Sequence, residues 1–174
     1  MVTAIVIVVV LVAGVVGYAA SQPTSFRISR SLSMKAAPAS VFGHVADLHK
    51  LNAWNPFALQ DPAIKLTYSG AEQGQGAAYD WDGPKSGNGR MEILDARPSK
   101  LVAMKLDFNK PFVAHNLVDF TFEETGGATT VTWAMRGERN LMMKLMGVFM
   151  SMDKMVGGEF EKGLRNLKTI VEGK

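Results

Sequence analysis

The first charged side chain of this 174-residue chain is Arg27. Residues 2–20 are almost entirely Val, Ile, Ala, Leu and Gly, interrupted only by Thr3 and Tyr18. A helix rises about 1.5 Å per residue, so this run reaches roughly 29 Å, close to a hydrocarbon core of about 30 Å. The pattern predicts one transmembrane anchor over residues 1–21. A cleaved signal peptide is the competing reading, with Tyr18-Ala19-Ala20-Ser21 as its cleavage site; against it, no Lys or Arg precedes the run, and the run exceeds the usual apolar stretch of roughly 7–15 residues. Arg27, Arg30 and Lys35 lie beyond the run, and the positive-inside tendency therefore favours a cytoplasmic domain, with a periplasmic one left open.

Residues 22–25 form a short linker, and residues 26–172 are long enough for one domain with a real core. Its charges are scattered: 19 Lys and Arg against 16 Asp and Glu give a net charge of +3, with no basic stripe, which argues against nucleic-acid binding. Cysteine is absent, excluding disulfides, thiolate metal sites and a Cys nucleophile. Oligomeric state is not legible.

Phe26, Ile28, Leu32 and Met34 share one face of a first strand; Pro38, Val41, Phe42, Val45 and Leu48 predict a helix near 38–47, and residues 49–57 a second short helix ending before Pro56. Six alternating segments come next: Ile64 to Tyr68, Ala77 to Trp81, Met91 to Ile93, Val102 to Phe108, Phe112 to Phe122 and Val131 to Met135. Glycines and prolines punctuate them, and Gly74-x-Gly76 and Gly87-x-Gly89 read as turn glycines because neither opens a helix. Leu141, Leu145, Phe149, Met152, Val156, Phe160, Leu164 and Leu167 predict one long amphipathic helix from Asn140 to about Val171. A curved antiparallel sheet of about seven strands needs its apolar face covered, and this helix is the element large enough to do it, leaving a cavity between them.

That order, with Ala53-Trp-Asn-Pro-Phe57, Tyr68-Ser-Gly70, Gly76-Ala-Ala-Tyr-Asp-Trp81, Gly87-Asn-Gly-Arg-Met-Glu92, Lys110-Pro-Phe112, Thr130-Val-Thr-Trp133 and Met152-Asp-Lys-Met155, resembles the START-like (SRPBCC, helix-grip) superfamily, and within it bacterial polyketide cyclase/dehydrase-type members with an N-terminal membrane segment. The resemblance covers about residues 24–172 and implies an α+β helix-grip, START/Bet v 1-like fold and a bacterial inner-membrane protein of one pass. It leaves chemistry open, because one fold hosts many functions.

The expected cavity wall holds Tyr68, Tyr79, Trp81 and Trp133 with Met104 and Met135, and Trp54 stands either at the entrance or as a staple between the second helix and the sheet. Asn116 shares the inward face with Val118 and Phe120, so its amide needs a partner, from ligand, backbone or water. His115 points outward beside Lys105 or Asp107, and Asp80, Asp82, Glu92 and Asp107 belong to the solvent face. No metal-ligand spacing, nucleophile elbow or inward acid/base pair is visible, so no catalytic residue, metal or cofactor is expected. The methionines from Met142 to Met155 occupy more than one helix face, as core filler or as a mobile lid.

The primary expectation is a membrane-tethered module holding a small apolar molecule, lipid or aromatic. A cyclase, dehydratase or hydrolase acting on a hydrophobic substrate is the alternative. A closed domain with protein partners is the third reading.

Overall fold

Alternating strands with turn residues between them build one seven-stranded antiparallel sheet in the computed structural model, which describes residues 2–173. Met1, the first residue of the expected anchor, lies outside the described residues. The strands are β1 (Ser25–Met34), β2 (Lys65–Gly70), β3 (Ala77–Gly83), β4 (Gly87–Arg97), β5 (Leu101–Lys110), β6 (Ala114–Thr125) and β7 (Ala128–Glu138), in the order β1-β7-β6-β5-β4-β3-β2. The fold is α+β. Helix α1 (Val2–Ser21) precedes the sheet, α2 (Pro38–Ala46), α3 (Leu48–Trp54) and α4 (Pro56–Leu59) connect β1 to β2, and α5 (Leu141–Phe149) and α6 (Met152–Val171) end the chain.

Register places the side chains in cross-sheet rows. One row runs Tyr68, Tyr79, Met91, Leu106, Asn116, Gly137 and Phe26; another joins Val102, Phe120, Trp133 and Arg30. A bulge between Ile93 and Asp95 breaks the alternation of β4 and leaves Leu94 exposed. Helix α6 crosses β1 and β7, where two glycines admit it closely. A side chain at Gly157 would strike the guanidinium of Arg30, and one at Gly163 would lie 2.7 Å from the Trp133 ring and 2.9 Å from Pro56. Arg30 binds Asp153 (2.9 Å) and Glu161 (2.8 Å) from that position.

Three expectations need correction. The C-terminal helix is two helices: Met150 is extended, and Ser151 restarts the helix by accepting from the Lys154 amide (3.3 Å), as Asn140 does for α5 from Met143 (2.8 Å). A serine in that place offers the backbone a cap that outcompetes helix continuation. The helix expected over 49–57 is also two, because Asn55 ends α3 and begins α4, with Pro56 at the first position of α4. Gly89 is no turn residue: it lies inside β4 opposite Trp81 and Phe108, next to a register shift, and a side chain there would strike the Trp81 ring.

Helix α1 is long and apolar enough to cross a membrane, a test that a signal sequence also passes. Ala19 is its buried residue, with Val15 one turn earlier partly covered, and its packing neighbour is α5.

Candidate functional site

Between the sheet, the α3–α4 segment and α6 lies a partly open cavity of about 390 Å³, within the range of roughly 300–1,000 Å³ typical of small-molecule sites. The sheet contributes Tyr79 and Trp81 (β3), Met91 (β4), Leu106 and Phe108 (β5), Val118 and Phe120 (β6) and Trp133 and Met135 (β7); α6 closes it with Val156 and Phe160. Aromatic packing stiffens the wall. Trp133 stacks on Phe160 with centroids 4.1 Å apart and planes 10° apart, while Trp81 meets Phe108 edge-on at 5.2 Å.

Polar groups gather at two places. On α3 and the adjoining turn, Asn52 and Asn55 are buried three residues apart and joined amide to amide (3.5 Å). Asn52 Nδ2 donates to the Tyr68 hydroxyl at 3.2 Å, and Asn52 also faces Tyr79. Burial, with some help from Tyr68, holds the Tyr79 hydroxyl well above its ordinary pKa, and the hydrogen bond with Asn52 opposes this only in part. It stays protonated at neutral pH and available as a donor. The second group is Asp61, whose Oδ2 accepts from the amides of Lys85 and Ser86 (3.0 Å each) and from the Ser86 hydroxyl (2.8 Å). Burial would raise this carboxyl, but the hydrogen bonds from Ser86 and Lys85 outweigh it and hold it below the usual range. A carboxylate tied down in this way fixes the β3–β4 turn and keeps no proton to give.

Of the residues singled out from the sequence, Tyr79, Trp81, Trp133 and Met135 line the cavity. Tyr68 lies on the far side of Tyr79, its ring stacked on His49 (3.6 Å) in a smaller depression shared with Leu48 and Glu72. Trp54 is fully buried behind the wall; its Nε1 donates to the His44 carbonyl (3.1 Å) and its ring meets Phe120 and Trp133 edge-on, the geometry of a staple. Met104 is fully buried and outside the lining. Asn116 is inward and buried next to the lining Leu106, but its Oδ1 turns toward Gly137, in the space that a side chain there would fill, and accepts no hydrogen bond. His115 does point outward, onto Asp107 (2.6 Å).

Asn52, Asn55, Asp61 and Ser86 were not legible as lining residues. The Asn-Pro pair at 55–56 marks a helix start, and the i, i+3 spacing of the two asparagines sets them on one side of the chain. That side's orientation is decided by contacts with β2 and β3, far away in sequence. Among the described residues, no group of three His, Asp or Glu side chains is arranged to hold a metal ion.

Solved structures share the fold over most of this chain. Protein CV1439 from Chromobacterium violaceum is 13% identical, with 87% of this chain and 99% of that chain aligned and a TM-score of 0.60. For MLL2253 from Mesorhizobium loti the values are 14%, 86%, 98% and 0.61, and for Ara h 8.0201, of the Bet v 1 type, 11%, 86%, 99% and 0.58. At such identities the likeness concerns the fold. No curated protein is detectably similar in sequence. The family model described as polyketide cyclase / dehydrase and lipid transport matches residues 25–172. The chain, a START/Bet v 1-like helix-grip protein, belongs to that family.

Proposed function

We propose that this chain is a membrane-tethered binding module that encloses a small, largely apolar molecule bearing one carbonyl or hydroxyl group. The observation that carries the reading is the asymmetry of the cavity. Most of its wall is aromatic, aliphatic and thioether, while Asn52, Asn55 and the protonated Tyr79 hydroxyl converge at its α3 end. Each methylene buried in such a wall contributes about 0.8 kcal/mol, and the polar cluster supplies orientation. The description of the family, with its lipid-transport branch, supports an apolar ligand.

Binding without reaction accounts for the polar groups. Asp61 Oδ2 is held by the Lys85 and Ser86 amides and the carboxyl stays below its usual range, while Tyr79 is held protonated, so neither side chain is poised to take a proton near neutral pH. In this reading α1 is the retained anchor, and residues 22–25 keep the cavity close to the bilayer.

The test is native mass spectrometry of the full chain released from host membranes, with organic extraction of what it carries. A stoichiometric small molecule with an apolar body and an oxygen function is the expected result. Repeated recovery of empty protein, with no thermal shift across lipid and aromatic libraries, overturns the reading.

A further inference from the structure

Helix α5 reads Leu-Met-Met-Lys-Leu-Met-Gly-Val-Phe, without an acidic side chain, and none of its residues is buried. Leu141, Met142, Met146, Phe149 and Met150 are exposed, with Phe149 at 77%. Met142, Met146 and Phe149 keep i, i+4, i+7 spacing and form one stripe. Met143, Lys144, Leu145 and Val148 are the half-covered residues. An amphipathic surface helix turns its apolar stripe to the core and its charges to water; a helix that is apolar all round is found buried in protein or in lipid. Here the stripe faces outward.

The neighbour of α5 indicates what covers this stripe. Helix α5 packs on α1, whose remaining surface is apolar apart from Thr3 and Tyr18 and the closing Ser21, so the exposed stripe continues the surface of α1. The segment between α1 and the sheet is pinned to the start of α5. The Thr24 carbonyl accepts from the Arg139 amide (2.6 Å), its hydroxyl from Lys144 Nζ (3.4 Å), and the Ser25 carbonyl from the Arg139 guanidinium (3.4 Å). These contacts tie Thr24 and Ser25 to the start of α5. Arg139 and Lys144 also bring positive charge to the C-terminal end of α1, where a bilayer with α1 as its span presents phosphates.

We propose that α5 is an interfacial helix, lying in the headgroup–acyl boundary beside α1 with Met142, Met146 and Phe149 immersed in lipid. This rests on the reading of α1 as a membrane span. After the two residues Met150 and Ser151, α6 begins, and its Val156 and Phe160 line the cavity; the helix in the lipid and the helix over the ligand are thus separated by that break alone. The domain is docked on the bilayer by two apolar helices and cannot swing freely on its tether.

The chain contains no cysteine, so single nitroxide labels can be placed without other changes. The full-length variants Met142→Cys, Phe149→Cys, Val9→Cys and Glu123→Cys are reconstituted in phosphatidylcholine–phosphatidylglycerol vesicles, and collision rates with oxygen and with a water-soluble nickel chelate are measured. The label at 9 reports the span, and that at 123, exposed at the end of β6, is the aqueous reference. The expected result is a lipid signature, oxygen over nickel, at 9, 142 and 149, at least threefold above the ratio at 123. Aqueous ratios at 142 and 149 with a lipid ratio at 9 overturn the interfacial helix and leave the span intact. An aqueous ratio at 9 overturns the span and the inference with it. All the labelled side chains are exposed, and a second label at Met146→Cys repeats the reading if one variant does not fold.

Discussion

The Trp133 indole lies parallel to the Phe160 ring, 4.1 Å away, and this one stack joins the central sheet to the helix that closes the cavity. Phe160 also meets Phe57 of α4 edge-on at 6.3 Å, so a single ring braces three elements. Deleting a buried Phe side chain costs about 3–5 kcal/mol. Phe160→Ala is expected to lose about 3 kcal/mol, read from urea unfolding in micelles, and to admit bulkier ligands. A loss below about 1 kcal/mol means that the stack is not holding α6 down.

Two adjacent glycines of α6 separate helix propensity from packing. Nothing lies within 4 Å of a side chain built at Gly158, so Gly158→Ala is expected to stabilise by about 1 kcal/mol. The same change at Gly157 displaces the Arg30 guanidinium from Asp153 and Glu161 and should gain clearly less. In an Arg30→Ala background the two glycine substitutions are expected to become equivalent, a double-mutant cycle that isolates the clamp. Equivalence already in the unaltered protein argues against it.

Acid should weaken the fold in two windows. Burial, with the nearby Lys50 and against the pull of Asp47, holds His44 below its ordinary 6.5. The unfolded chain therefore binds the proton more readily, and this contribution to stability is present above about pH 6.5 and lost as pH falls below it. Asp61 is held below 3.8, so its contribution is present above that value and disappears as pH falls further, through the folded-state pKa. His44→Gln should flatten stability against pH in the upper window and Asp61→Asn in the lower, each leaving the other slope in place. Unchanged slopes in both variants assign the acid sensitivity to other groups.

Ligand selectivity should track the α3 end of the cavity. Asn52→Leu removes the amide that contacts the Tyr68 hydroxyl, and Tyr79→Phe removes the buried donor. Each is expected to weaken a carbonyl- or hydroxyl-bearing ligand about tenfold, the loss of one hydrogen bond of ~1.4 kcal/mol, and to leave a pure hydrocarbon probe unaffected. Equal weakening of both probes in calorimetric titrations would point to a collapsed pocket.

Asn116 supplies a contrasting case. Its Oδ1 is buried without a hydrogen bond, an arrangement that costs on the order of 1–3 kcal/mol. Asn116→Val is therefore expected to be neutral or stabilising in urea unfolding, with ligand affinity unchanged. Marked destabilisation shows that the amide has a structural partner.

The difference between Asn116 and Asn52 explains how much of this protein could be read from its sequence. Alternation along β3 to β7 assigns the inward face, and on that basis the sheet, its meander and the aromatic character of the wall were legible, as was the outward turn of His115. Alternation says nothing about where along a strand the cavity stops. Asn116 shares a cross-sheet row with Tyr79, yet its amide is turned into the space left by Gly137, a partner 21 positions away whose lack of a side chain has no local sign. Asn52 sits on a seven-residue helix too short for periodicity to orient, and its direction is set by Tyr68 and Tyr79. The break at Met150–Ser151 was hidden for a related reason. Leu145, Phe149, Met152 and Val156 keep helical spacing through it, so hydrophobic periodicity continues while the backbone does not.

Asn55 belongs to two helices at once, and each of its polar groups serves a different one of its surroundings. Its backbone amide donates to the Leu51 carbonyl (2.9 Å), its side-chain oxygen accepts from the Phe57 amide (3.2 Å), and its Nδ2 reaches toward Asn52 (3.5 Å). The helix it starts carries Phe57 and Ala58 on the cavity, so the residue that joins α3 to α4 also lines it. Under the proposed function, a ligand that engages this amide is held by the same side chain that caps the first turn of α4.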